Sequence, residues 1–311
     1  MAEDRSGEME DGQLPSLEMV RERAIAGVDG EGVNVLAHSL EGDDPLEGVE
    51  RGTIEPGDDG TERDAYVGPD GARAGLLAAA AMVTADSDAR LHYPEADVDL
   101  TAEGPWLILE PLGGRLGTVT RGRATVTVTL ERPAGNRVAD DRDRVGAVLE
   151  AARPDHEFYP VADDDLGVFT TGITTFGLES VQVDEETMTV AFDVRTTPAT
   201  TAAAVEARFE ECPGVTDVRL ERLSGVQQAD PDPTLRHAAE AAHVSIVGDD
   251  EYAWLPPTAP FAAVPSPNKL ALGTGTAGQP FDVEDFETCR RLLERTIERL
   301  ETGAKETEES R

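Results

Sequence analysis

The sequence predicts an α/β chain of two domains. An α/β sheet domain is made in two pieces and interrupted by an inserted ferredoxin-like (βαββαβ) domain. Three observations predict it. Strand-like and helix-like segments alternate on both sides of a central module. The module itself, from Arg121 to Arg222, reads β-α-β-β-α-β. The length, 311 residues, suits two domains.

Residues 1–15 read as a disordered acidic leader. The first part of the α/β domain spans 16–120. Within it, 16–26 is a short helix capped by Ser16, and 33–38 (VNVLAH) is a short apolar run that suits a buried strand. Residues 39–64 are rich in Gly, Asp, Glu and Pro and read as a loop, long for a compact domain. Residues 66–83 (YVGPDGARAGLLAAAAMV) are a glycine-rich turn leading into a small-residue helix. ARLHY at 89–93 is a candidate strand and PEADVD at 94–99 an acidic loop. WLIL at 106–109 is continuous and apolar, as in a strand buried on both faces, with Glu110-Pro111 at its end.

The inserted domain spans 121–223. In GRATVTVTLE (122–131), Ala124, Val126, Val128 and Leu130 alternate with Arg123 and three threonines, the period of a strand with one buried face. Val145, Val148 and Leu149 give 142–152 a helical spacing. GVFTTGITTF (167–176) reads as the second strand. TMTVAFDVR (187–195) reads as the third, with Met188, Val190, Phe192 and Val194 on one face. Thr197-Pro198 supplies a cap and a first-turn proline for a helix carrying Val205 and Phe209. VTDVRL (215–220) closes the module.

The second part of the α/β domain spans 224–301, and 302–311 is a charged tail. Residues 233–242 read as a helix, HVSIV (243–247) as a strand, and the proline-rich 249–267 as a loop. KLAL (269–272) is a short strand, and GTGTAG (273–278) reads as a loop at its end rather than a phosphate cradle. Asp282 caps a last helix with Phe286, Cys289, Leu293, Ile297 and Leu300 at spacings of three and four.

Sixty-three acidic residues against 27 basic ones give a formal charge of −36. The acidic charge is spread along the chain and reads as a solvated surface, similar to that of proteins from salt-loving archaea. In 1 M salt, screening reaches only about 3 Å. Such a surface disfavours nucleic acid, whose backbone wants a basic face. Cys212 and Cys289 are too few for a disulfide framework or a zinc–thiolate site. No apolar run reaches membrane-spanning length, and the acidic first residues lack a signal peptide's pattern, so a cytoplasmic protein with no membrane partner is expected. GxSxG and Walker patterns are missing, and GTGTAG (273–278), though it has the GxGxxG spacing, comes late and several residues before the last helix, outside the setting of a nucleotide fingerprint.

Short stretches, in order, resemble the acetylornithine deacetylase / succinyl-diaminopimelate desuccinylase / aminoacylase family of dinuclear zinc hydrolases. VLAHSL (35–40) resembles the strand and histidine of the first metal motif. GPDGARAGLLAAA (68–80) resembles the turn with the bridging aspartate, and LILEP (107–111) the strand ending in an acidic ligand. GTVTRGRATVTVTLERPAGN (117–136) and AFDVRTTP (191–198) resemble strands of the family's lid. Residues 268–300 resemble the closing strand, loop and helix. The resemblance implies a zinc-peptidase-like fold with a lid and dimerisation domain, hence a homodimer through that domain. It implies zinc or cobalt as cofactor, held by His38, Asp70 and Glu110, with Glu95 or Asp97 as catalytic base. The substrate would be a small N-acyl amino acid or a peptide.

The chain departs from the family at specific positions. Ser39-Leu40 follow His38 where the family has an aspartate two residues on, the partner that orients a metal-bound histidine. Ala72 or Arg73 stands at the usual lysine position. Glu95, Asp97 and Asp99 offer no adjacent acidic pair. Gln279 lies in the loop where the last histidine ligand belongs, and Gly135 and Asn136 replace the lid histidine. His92, His156, His237 and His243 have no metal-like spacing. Two further readings therefore stand beside the hydrolase. One is a metal-free relative working by binding or assembly. The other is a small-molecule-binding regulator built on the central module.

Overall fold

A computed structural model of the chain describes residues 13–37, 46–54, 62–92, 100–132, 138–153, 174–196, 201–253, 255 and 260–309. The chain forms two compact units: Met1–Thr118 with Gln228–Arg311, and Val119–Gln227. The elements before the second unit are α1 (Leu17–Ala26), β1 (Asn34–Leu36), β2 (Glu50–Ile54), β3 (Arg63–Val67), α2 (Gly71–Thr84), β4 (Arg90–His92), β5 (Trp106–Leu109) and β6 (Arg115–Gly117). Those from the second unit onward begin with β7 (Val119–Thr120), β8 (Gly122–Glu131), α3 (Val138–Ala151), β9 (Thr175–Val183), β10 (Thr187–Thr196), α4 (Ala202–Glu210), β11 (Val215–Ser224) and β12 (Gln227–Gln228). The chain closes with α5 (Pro233–Ile246), β13 (Lys269–Gly273), β14 (Phe281–Asp282) and α6 (Val283–Glu309).

The first unit is built on a five-stranded sheet of order β4-β1-β5-β13-β6. The first four strands run parallel and β6 is antiparallel to β13. The alternation of WLIL decides what each face meets. Leu107 and Leu109 join a core with α1, α2, α5 and α6. Trp106 and Ile108 face a second cluster with Leu255, Phe261 and Val264. Burial on both faces explains why these strands are unbroken apolar runs rather than alternating ones. A smaller sheet of order β14-β3-β2 completes the unit.

Helix ends follow from local chemistry. Ser16 accepts the Met19 N–H at 3.2 Å. Asp232 accepts the Leu235 N–H at 2.8 Å with Pro233 in the first turn. Asp282 accepts the Asp285 N–H at 2.9 Å. In α2, Gly75 admits the Phe281 ring, since a Cβ there would lie 2.0 Å from its Cδ1. That contact explains why glycine stands at this position of the helix.

The second unit has an antiparallel sheet of order β11-β8-β10-β9, with α3 following β8 and α4 following β10. The alternating residues of β8 and β10 bury one face, where Phe192 stacks on Phe209 of α4 at 5.6 Å.

Several sequence expectations are corrected. Residues 39–64 contain β2 and part of β3, because Arg51 and Asp64 pair across the two strands at 2.6 Å and satisfy their charges at the sheet surface. HVSIV is not a strand but the end of α5, as the helix runs on from its cap to Ile246. The fourth helix begins at Ala202 with Thr201 as its cap, because Thr201 Oγ1 takes the Ala204 N–H. The second strand of the module starts at Thr175, and most of 167–176 lies outside the described residues. The last helix continues through the expected tail to Glu309.

Candidate functional site

The C-terminal ends of parallel strands, where strands give way to turns, are where such sheets place ligands. Here β5 ends at Leu109 and Glu110 follows it directly. Its N–H donates to Leu272 O at 3.0 Å, so the backbone is still paired with β13. The alternation of the strand puts its side chain on the side of Trp106 and Ile108. Next to it, β13 ends at Gly273, where a Cβ would lie 2.3 Å from Glu110 O. Glycine is what lets the two strand ends approach so closely. The GTGTAG loop then turns back toward α6, with the Gly275 N–H donating to Asp285 Oδ1 at 3.1 Å.

Glu110 is fully buried, and neither carboxylate oxygen has a hydrogen bond of good geometry, the Phe261 backbone acting on it only as a weak donor. Arg73, in the first turn of α2, brings Nη2 within 3.8 Å of Oε2, while its own Nη1 is buried and unpartnered. Burial pushes the Glu110 carboxyl up to about 7, and the Arg73 charge and a backbone hydrogen bond from Phe261 oppose this without cancelling it. Desolvation thus outweighs the ion pair. At about 1.4 kcal/mol per pKa unit, holding this carboxylate ionised costs the fold about 3 kcal/mol.

The other anticipated residues divide into two groups. Asp70 is at the N-terminus of α2, exposed, and its side chain caps no helix N–H. His38, Glu95 and Asp97 lie outside the described residues. Among the described residues, no three His, Cys, Asp or Glu side chains converge as metal ligands. A metal's fit is therefore tested on Glu110. A desolvated carboxylate with both oxygens unsatisfied is the donor chemistry of a cation ligand, and Glu110 fits that role. Gln279, where the family's closing histidine would stand, is exposed in the loop before α6.

Three further groups carry chemistry that no motif in the sequence singles out. Lys269 is buried, donates to Phe261 O at 2.7 Å and Val264 O at 2.5 Å, and is pushed down to about 8 by burial. His92 is buried, stacks on Trp106 at 4.4 Å and bonds Asn34 Oδ1 at 3.0 Å through Nε2, a structural setting. In the second unit, Arg123 and Arg195 stand opposite each other and both donate to Asp193. Burial would raise the Asp193 carboxyl, but those hydrogen bonds and charges hold it below the usual carboxylate range.

No family model matches the sequence, and no curated protein matches it. Solved structures do match. A tripeptidase from Staphylococcus aureus superposes with a TM-score of 0.55 at 11% identity, covering 91% of this chain and 91% of its own. An M20-family metallo-carboxypeptidase from Sulfolobus solfataricus gives 0.53 at 11% identity, over 88% of this chain and 86% of its own. An aminopeptidase from Bacillus cereus gives 0.51 at 14%, over 88% and 82%. At such identities the likeness is one of fold. The chain has the α/β fold of the M20 metallopeptidases, which agrees with the family resemblance in the sequence. No helix among the described residues is long and apolar enough to cross a membrane.

Proposed function

We propose that this chain is a divergent metal-dependent amide hydrolase acting on small N-acyl amino acids or peptides. The observation that carries this reading is the Glu110 carboxylate, buried at a strand end with both oxygens unsatisfied. A fold keeps such a group against a cost of about 3 kcal/mol when something else is gained by it. Zinc or cobalt is the expected cofactor. Glu110, His38 and Asp70 would hold it, and it would supply Lewis acidity and an activated water. In this reading Glu95 or Asp97 would serve as the general base, and Arg73 would offset the charge of Glu110 from outside the ligand set.

The second unit is read as an inserted ferredoxin-like lid. Its element order and its strand order β11-β8-β10-β9 support this. We read β9 as the dimerisation edge of a homodimer. It is an edge strand carrying the exposed Leu178, Val181 and Val183, and an exposed apolar edge is a template for pairing. Light scattering on the full chain should give a dimer mass, and Val181→Lys should shift it toward monomer. A monomer at every concentration tested would remove the interface.

One observation favours a metal-free relative instead: the Arg73 guanidinium already lies 3.8 Å from Glu110, a cation where a metal's charge is expected. A panel of N-acetyl amino acids and dipeptides, assayed in high salt with and without added zinc or cobalt, separates the two readings. Metal-dependent release of amino acid supports the hydrolase. No release from any substrate under either metal rejects it.

A further inference from the structure

We propose that His243 carries a proton on both ring nitrogens and, in that state, is a positioning residue that clamps the turn following Glu110. His243 is in the last turn of α5 and is fully buried. Its Nδ1 lies 2.5 Å from Asp249 O and its Nε2 lies 2.5 Å from Gly114 O. Both partners are backbone carbonyls, which only accept hydrogen bonds. A neutral imidazole has one N–H and one lone pair, so one of these contacts would set two lone pairs against each other. The imidazolium donates to both.

A helix end and a carboxylate lie beside the ring. The C-terminal end of a helix stabilises a cation, and His243 sits there. The Asp249 carboxylate lies 3.6 Å from Nδ1. It also takes the Glu251 N–H at 3.2 Å. The other charged groups nearby are occupied or point to solvent. On α5 itself, Glu240 accepts the Tyr252 hydroxyl at 2.8 Å. Beside the turn, Arg115 donates to Leu112 O at 3.1 Å. Asp250 and Glu251 are exposed.

What the clamp holds gives it consequence. After Glu110 the chain turns, with the Leu112 N–H on Glu110 O at 2.8 Å, the Gly113 N–H on Gly275 O at 2.8 Å and the Gly114 N–H on Gly273 O at 3.0 Å. His243 anchors the far end of this turn through Gly114 O. It ties the turn to α5 and to the 249–253 segment, which pairs with Leu116. Losing one ring proton turns one of the two bonds into a repulsion and loosens the support of the strand end.

The test is imidazole 15N NMR on the full chain in high salt, with His243 assigned by the signals missing in His243→Gln. If that variant does not fold, ring-to-Gly114 Overhauser contacts assign it in the wild type. Both ring nitrogens should show bound, exchange-protected protons at pH 7. The wild-type melting temperature should also exceed that of His243→Gln by roughly 2–4 °C. An unprotonated ring nitrogen in the folded protein at pH 7, or equal melting temperatures for both proteins, would overturn the clamp. The link to catalysis rests on the reading of Glu110 above. Failure to bind metal would reject that reading and leave these NMR and melting results standing.

Discussion

Metal-free wild-type protein should lose about 3 kcal/mol of stability between pH 4.5 and 8 that the Glu110→Gln variant does not lose. The sign follows from the direction of the shift. Burial raises the carboxyl from its ordinary 4.5 to about 7. Between those values the folded state holds a proton that the unfolded state has released, so stability falls as pH rises. Above 7 both states are ionised and the full cost is present. Glutamine cannot ionise, so the difference between the two proteins in urea unfolding isolates this one group from the many surface carboxylates. The same substitution, or Glu110→Ala, should abolish metal binding and turnover. A variant that gains stability at alkaline pH while losing function would mark Glu110 as kept for chemistry rather than for the fold. Equal pH profiles would show that Glu110 carries no such cost.

Gly273→Ala should cost roughly 2–4 kcal/mol and disturb the site with the core otherwise intact. Its φ of 151° is one that side-chain-bearing residues rarely adopt, and the new Cβ would lie 2.3 Å from Glu110 O and 3.1 Å from Leu76 Cδ2. Leu76 could rotate away. The Glu110 carbonyl cannot, because the strand around it is paired on both sides and its oxygen takes the Leu112 N–H. The strain therefore falls on the strand end that carries Glu110. Thermal unfolding and metal affinity should both decline in this variant. A melting temperature within 1–2 °C (roughly) of wild type would show that the strand end is soft.

Much of the fold was legible because its signals are local and periodic. The alternation of β8 and β10, the unbroken run of β5, and the caps Ser16 and Asp282 each fix an element from a few residues. What was missed depended on partners distant in the chain. β2 and β3 contain Arg51, Gly52 and Asp64 and look like loop until they are paired with each other. HVSIV has strand-like composition, yet the helix from Asp232 runs through it because His243 finds two carbonyls there. At the site, Glu110 was singled out only through the resemblance of LILEP to a family strand. Arg73 was visible only as a substitution, since its meaning comes from a contact 37 positions further along the chain. Lys269 gave no sign within KLAL, because nothing local shows that its stem lies along a buried sheet and its amine meets two carbonyls.

The most direct test of the central claim is the metal content of the wild-type protein. It should be purified in high salt without chelator or a histidine tag, exposed to zinc and cobalt, desalted and measured for metal per chain by mass spectrometry. The account predicts at least about one tightly held ion per chain, lost in Glu110→Ala. No retained metal in the folded wild-type protein, or equal retention in both proteins, would contradict it.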